Sequence, residues 1–97
     1  MQPVKRVEII VSSVELNHVL AEIEACGASG YTVVREIEGK GHRGIRDGAD
    51  LSDAFRNTMI LTACSAEQSK MLVEAIRQIL KKRGGVCLVS DAAWVVH

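Results

Sequence analysis

Aromatic side chains are nearly absent: Tyr31, Phe55 and Trp94 make up 3% of the chain. Proteins that hold single-stranded nucleic acid, or that read RNA on the face of a sheet, stack bases on aromatic rings, so this scarcity argues against both. An excess of charge of either sign is absent too. Lys and Arg number 12 and Asp and Glu number 12, for a formal net charge of zero, and no whole-chain basic field attracts a polyanion. Cysteine pairs are lacking. Cys26, Cys64 and Cys87 are odd in number, show no CxxC spacing and lie in or beside apolar segments. They read as small core hydrophobes in a reducing compartment rather than as a disulfide or metal site. His18, His42 and His97 have no metal-ligand spacing. No apolar run reaches membrane-spanning length, and the opening MQPVKRVEIIVSS has no long apolar stretch followed by a small-residue cleavage site. The expected location is the cytoplasm or a compartment enclosed within it, without membrane insertion. No serine, cysteine or carboxylate has a partner arrangement that would activate a nucleophile or form an acid–base pair, so the expectation is a non-enzyme with no catalytic residue.

What is present is a patterned chain of 97 residues, 47% hydrophobic and 25% charged, enough for one domain over 1–97. A core of this size is modest, and oligomerisation would relieve that limit. Val7, Ile9 and Val11 alternate with Arg6, Glu8 and Ile10, which predicts a strand over Val4 to Val11. Ser12 to Glu15 has capping-box spacing, and Leu16, Val19, Leu20 and Ile23 follow at helical intervals up to Gly27. A second strand is expected over Tyr31 to Ile37 and a third over Asn57 to Ala63. Ser65 to Gln68 is a second capping box, ahead of the apolar stripe Leu72, Ala75, Ile76, Ile79 and Leu80. Lys81, Lys82 and Arg83 suit a helix C-terminus, and Gly84 and Gly85 end it. Val86 to Val89 reads as the fourth strand, Ser90 and Asp91 as a turn or bulge, and Trp94, Val95 and Val96 as a short final strand.

This order predicts an α+β, ferredoxin-like βαββαβ fold, a four-stranded antiparallel sheet with two helices on one face. The opposite face would carry Ile10, Val34, Met59 and Leu61 or the residues that alternate with them. Such an apolar patch usually marks an interface, so an oligomer is expected on this ground alone.

The segment between the second and third strands has a different chemistry. Gly39, Gly41, Gly44 and Gly48 fall among few apolar residues, which predicts a mobile loop over about 39–55. Its first half holds Lys40, His42, Arg43 and Arg46 without an acid between them, and its second half holds Asp47, Asp50 and Asp53. Glycine-rich backbone with cations makes an anion site, and a guanidinium offers phosphate two parallel donors. An ordinary solvated loop has the same composition, and both readings stand on residue chemistry alone. The P-loop pattern GxxxxGK[ST] is missing, and Gly39-Lys40-Gly41 does not fit a dinucleotide fingerprint.

Gly30 to Val34, followed by Gly39-Lys40-Gly41-His42-Arg43, resembles the PII signalling family. The likeness is to its short-loop PII-like branch linked to inorganic carbon, whose members include carboxysome-associated and bicarbonate-transporter-linked regulators. It extends to Gly27-Ala28-Ser29 and to Leu72-Val73-Glu74-Ala75-Ile76, and so covers nearly the whole chain. The resemblance implies a homotrimer with nucleotide sites in the clefts between subunits. The 39–55 segment matches the family's T-loop, with Gly39, Lys40, Gly41, His42, Arg43 and Arg46 at the phosphates. Thr32 matches a ribose or adenine position, and Leu61, Thr62 and Ala63 match backbone contacts to adenine. Arg83, Gly84, Gly85 and Val86 match the B-loop on the other side of the cleft.

The departures from the family pattern matter. The T-loop is short and has no tyrosine, which excludes uridylylation there. The B-loop is shortened and lacks its lysine, which favours ADP or AMP as ligand, with ATP and cyclic AMP as further candidates. In the carbon-linked branch bicarbonate is a second expected ligand, at Lys40, His42, Arg43 and Arg46. The implied protein partner is unidentified, with a bicarbonate transporter or a carboxysome component as candidates, and nucleic acid is not among the partners.

Rival readings share the fold class. An ACT-like small-molecule module would gather its contacts at the first loop, and a structural trimer would bind no nucleotide. Acylphosphatase needs an early arginine cradle, and a metal carrier needs two cysteines where Ser12 and Ser13 stand. Arg83 is also explained as a helix-end cation, and Trp94 as a packing or trimer-contact residue.

Overall fold

The computed structural model describes residues 1–38 and 56–97. The loop expected over 39–55 lies outside the described residues, and with it Gly39, Lys40, Gly41, His42, Arg43, Arg46, Asp47, Asp50 and Asp53. The described elements are β1 (Gln2–Ser12), a 3-10 turn (Ser13–Glu15), α1 (Leu16–Ala25), β2 (Thr32–Ile37), β3 (Asn57–Cys64), α2 (Ala66–Arg83) and β4 (Val86–Trp94). The strands form one sheet in the order β2-β3-β1-β4, and every neighbouring pair is antiparallel. This is the ferredoxin-like βαββαβ arrangement.

Strand alternation builds the core. Val7, Ile9 and Val11 of β1 and Ile60 and Cys64 of β3 point to one face and are buried. Leu16, Val19 and Ile23 of α1 and Leu72, Ile76 and Ile79 of α2 cover that face, so both helices lie on the same side of the sheet. The parity that buries these residues puts Arg6, Glu8, Ile10, Met59, Leu61, Val34 and Leu88 on the other side, where Val34 and Leu88 are exposed.

The helix ends follow local chemistry where the local contacts form. Ser65 caps α2: its hydroxyl accepts from the Gln68 backbone N–H at 3.1 Å, and the Gln68 side-chain oxygen accepts from the Ser65 N–H at 2.9 Å. The Gln68 amide nitrogen also donates to the Gly27 carbonyl at 2.9 Å, which ties the end of α1 to the start of α2. Gly27 closes α1 at φ +87, as its position in sequence implies.

Two local expectations are corrected. The capping box at Ser12 does not form, for Ser12 makes no side-chain cap hydrogen bond. Sheet pairing decides this. Ser12 stays extended opposite Asn57, the Ser13 N–H donates to the Arg56 carbonyl, and the Ser13 and Thr58 hydroxyls bond to each other. The chain then makes a 3-10 turn before α1 begins at Leu16. The turn expected at Ser90 and Asp91 is also absent. β4 runs unbroken for nine residues because it pairs with β1 from Ile10 down to Gln2, and the Lys5 ammonium pairs with Asp91. Trp94 ends this strand, and Val95 and Val96 lie beyond it.

One feature had no sequence signal. The β2–β3 pairing shifts register between Arg35 and Ile37, and Glu36 sits there at φ +56. A β-bulge thus lies at the foot of the 39–55 segment, where the Glu36 carboxylate meets the Arg56 guanidinium at 3.5 Å.

Candidate functional site

The open face of the sheet holds a groove of about 460 Å³, a volume typical of small-molecule sites. Leu61, Thr62 and Ala63 of β3 and Thr32 of β2 line it together with Val4 and Arg6 of β1, the Ser29–Tyr31 connection, and Ala92 to Trp94 of β4. Register explains the gathering: Thr32 faces Leu61, Ala63 faces Arg6, and Arg6 faces Ser90 on its other side. Thr62 is buried and donates from its hydroxyl to the Gly30 carbonyl at 2.6 Å, which holds the connection leading into β2. Four of the residues expected at a nucleotide therefore share one concave surface.

Arg6, Tyr31 and Trp94 line the same groove, and sequence reasoning gave them no ligand role. Strand parity was the usable signal for Arg6, which shares a face with Glu8 and Ile10. The Arg6 guanidinium bonds the Glu8 carboxylate on that face. The two charges offset each other on a surface that is otherwise largely apolar.

Arg83, Gly84, Gly85 and Val86 lie elsewhere. Val86 faces Ile10, whereas Leu61 and Ala63 face Glu8 and Arg6. The turn is thus displaced from the groove residues by two to four residues, about 7–13 Å along the strands, and by the width of β1. It stands at the same end of the sheet as Ile37 and Asn57, the feet of the 39–55 segment. Gly84 has φ +76, and its N–H caps the Leu80 carbonyl at 2.8 Å. Gly85 has φ +123 and passes close to the backbone of Ile10. Both glycines are accounted for by chain geometry. Arg83 is not free: its Nε meets a Glu15 carboxylate oxygen at 3.3 Å. His18 lies on the exposed side of α1, with Glu15 at 3.6 Å and Glu22 at 3.7 Å.

The cysteines are core residues or close to it. Cys26 and Cys64 are buried, Cys87 is half-buried, and the Cys26 thiol donates to the Ile23 carbonyl at 3.1 Å. Burial pushes the Cys64 thiol up, and nearby Cys26 adds to this. Burial also pushes Cys87 up, against a smaller opposing pull from Arg77. A raised thiol favours the neutral form in the folded state, so its stabilising contribution is present at neutral pH. That contribution should fall as pH rises past the ordinary thiol value of 9.0. Disulfide exchange with an aromatic disulfide reagent at pH 7 should be slow on native protein and fast in denaturant. A rapid one-thiol phase on native protein would contradict this assignment. Among the described residues, no group of three or more His, Cys, Asp and Glu side chains is placed to hold a metal, and no helix is long and apolar enough to cross a membrane.

Comparison with known proteins agrees with this architecture. CPII, a nitrogen regulatory PII-like protein from Thiomonas intermedia K12 solved with ADP, AMP and bicarbonate, superposes with a TM-score of 0.82 at 25% identity, over 98% of this chain and 96% of that one. A structure of CPII with ADP and bicarbonate gives a TM-score of 0.78 at 28% identity, over 93% and 86%. A PII-like signalling protein from Thermus thermophilus gives 0.77 at 25% identity, over 97% and 91%. Among curated proteins none matches the chain. The family model described as nitrogen regulatory protein P-II matches residues 4–96, and with nearly the whole chain covered the protein belongs to the P-II family.

Proposed function

We propose that this chain is a PII-like regulator that binds an adenine nucleotide, with ADP or AMP favoured, in clefts between the subunits of a homotrimer. The observation that carries this reading is the groove. It collects Thr32, Leu61, Thr62 and Ala63 on one surface, with an apolar floor for a base. The phosphate-side residues Arg83 to Val86 lie away from it in the same chain, so a cleft lined by both is most directly built from two copies. The uncovered apolar side chains Val34 and Leu88 give a second copy a reason to dock. Solved CPII with ADP, AMP and bicarbonate, at 25% identity, supports the ligand class.

In this mechanism the phosphates draw Gly39, Lys40, Gly41, His42, Arg43 and Arg46 into one arrangement. The rest of the 39–55 segment then presents a changed surface to a protein partner. The shift between loop states is limited by the ligand's differential affinity for them. Bicarbonate at Lys40, His42, Arg43 and Arg46 would report inorganic carbon, and a bicarbonate transporter or a carboxysome component would be the kind of partner addressed. The chain then acts as a regulator in the cytoplasm or in a carboxysome rather than as an enzyme. The ACT-like alternative has less support, because Ser13 at the first loop is already engaged by Arg56 and Thr58.

Isothermal titration calorimetry with AMP, ADP, ATP and cyclic AMP, each with and without bicarbonate, tests the reading. Micromolar binding near one per chain is expected, and Arg43→Ala should weaken it by about tenfold or more, as for loss of a charge-assisted phosphate contact. Absence of binding by all four nucleotides would overturn the nucleotide reading. Binding untouched by Arg43→Ala would remove that loop from the site.

A further inference from the structure

Arg83 is engaged within its own chain. Its Nε lies 3.3 Å from one oxygen of Glu15, and Nδ1 of His18 lies 3.6 Å from the other. The three side chains come from different places: Glu15 from the 3-10 turn, His18 from α1, and Arg83 from the last turn of α2. The Glu15 side chain is only 12% exposed, whereas that of Arg83 is 66% exposed. The carboxylate is thus the anchored member and the guanidinium the movable one.

Two surroundings hold Glu15 in place. The 3-10 turn that carries it is pinned at its first residue by the Ser13 bonds to Arg56 and Thr58. The His18 imidazole lies beside both Glu15 and Glu22, at 3.6 and 3.7 Å, and so flanks the carboxylate on the helix side. Arg83 stands directly before Gly84 and Gly85, whose backbone is committed to ending α2 and passing Ile10. Relocation of the Arg83 side chain therefore needs only its own rotamers to change.

We infer that Glu15 is a resident anion that holds Arg83 through its Nε, and that a phosphate-bearing ligand competes with it for the guanidinium, so that Glu15 lowers the affinity of the 83–86 turn for phosphate. This rests on the reading of Arg83 as a phosphate contact. Glu15 acts through Arg83 and is a positioning residue. Partly exposed ion pairs contribute modestly, so the gate is weak enough for a phosphate to open. The free protein keeps its guanidinium from being captured by stray anions, and the Glu15 carboxylate remains beside its imidazole partner when Arg83 leaves.

A double-mutant cycle with ADP as the probe tests this, in the full chain, with wild type, Glu15→Gln, Arg83→Ala and the double variant compared by calorimetry. Glu15→Gln should tighten ADP about twofold to fivefold, the upper part of the range expected when a partly exposed ion pair no longer competes. The same substitution in the Arg83→Ala background should change nothing, because the gain passes through the guanidinium. Glu15→Asp, which keeps the charge one methylene short, should fall between wild type and Glu15→Gln, and serves also if the amide impairs folding. Tightening that survives in the Arg83→Ala background, or unchanged or weaker binding in Glu15→Gln, would overturn the inference. Failure of wild type to bind ADP would instead overturn the nucleotide reading on which it rests.

Discussion

Alanine at position 85 should destabilise the protein by about 3–4 kcal/mol, a large part of the stability of a small domain. Two independent costs add. The residue has φ +123, a conformation L side chains rarely adopt, and a Cβ there would lie 2.7 Å from the Ile10 carbonyl oxygen and 3.0 Å from both Leu80 and Val11 side chains. The carbonyl belongs to β1, the strand that pairs with both β3 and β4, so it cannot yield without disturbing the sheet. Urea unfolding of Gly85→Ala, read as a midpoint shift at constant slope, checks this. Gly30→Ala is the control: a Cβ at position 30 meets nothing within 4 Å, and the change should stay within about 0.5 kcal/mol. A Gly85→Ala midpoint as close to wild type as that of Gly30→Ala would show that the turn at 84–86 adapts freely. It would also weaken any role for that turn as a fixed wall of a cleft.

The second large effect concerns assembly. Leu88→Asp should convert the expected trimer to monomers while the fold persists. Leu88 is 57% exposed in the single chain, so its replacement removes little from the core. In a trimer that buries the open sheet face, however, the carboxylate would enter an apolar contact with no cation of its own. Glu8 lies directly across the strand pair and adds like-charge repulsion on the same face. Burial of an unpaired charge costs several kcal/mol at each of the symmetry-related contacts. Light scattering should report a monomer mass, with circular dichroism near that of wild type. Nucleotide binding should fall with assembly if the cleft needs two copies. A Leu88→Asp trimer that still binds ADP would move the subunit contact off this face.

These expectations depend on features of unequal legibility. The inward residues Val7, Ile9, Val11 and Ile60 are found from alternation because a strand with one buried face has a period of two. The cap at Ser65 is found because Ser65 and Gln68 satisfy each other with no help from distant parts of the chain. The same reasoning applied to Ser12 fails for a definite reason. β3 offers Ser12 a pairing partner in Asn57 and offers Ser13 a backbone acceptor in Arg56, and these hydrogen bonds replace the local box. Ser90 and Asp91 look like turn residues, yet nine residues of pairing with β1 keep them extended.

The site divides in the same way. Thr32 and Leu61 to Ala63 were expected from family likeness, and register brings them to one groove. Arg6, Tyr31 and Trp94 join them only because four strands lie side by side in one order. Local strand parity puts Arg6 on the open face, but nothing local to Tyr31 or Trp94 announces the groove. The Glu36 bulge and its Arg56 partner likewise follow from how β2 is forced to meet β3.

By itself the amino-acid sequence determined the alternation of elements, the inward residues, the glycine at the end of α1 and the glycine-rich character of the 39–55 segment with its basic first half and acidic second half, because these depend on short-range periodicity, composition and backbone freedom. Only the tertiary structure decided that Ser12 remains in a strand, that β4 runs through Ser90 and Asp91, that the groove gathers Arg6 with Trp94, and that Glu15 holds Arg83. Each of those outcomes is a competition between a local preference and a partner far away in sequence, and the partner is supplied by strand register and helix docking.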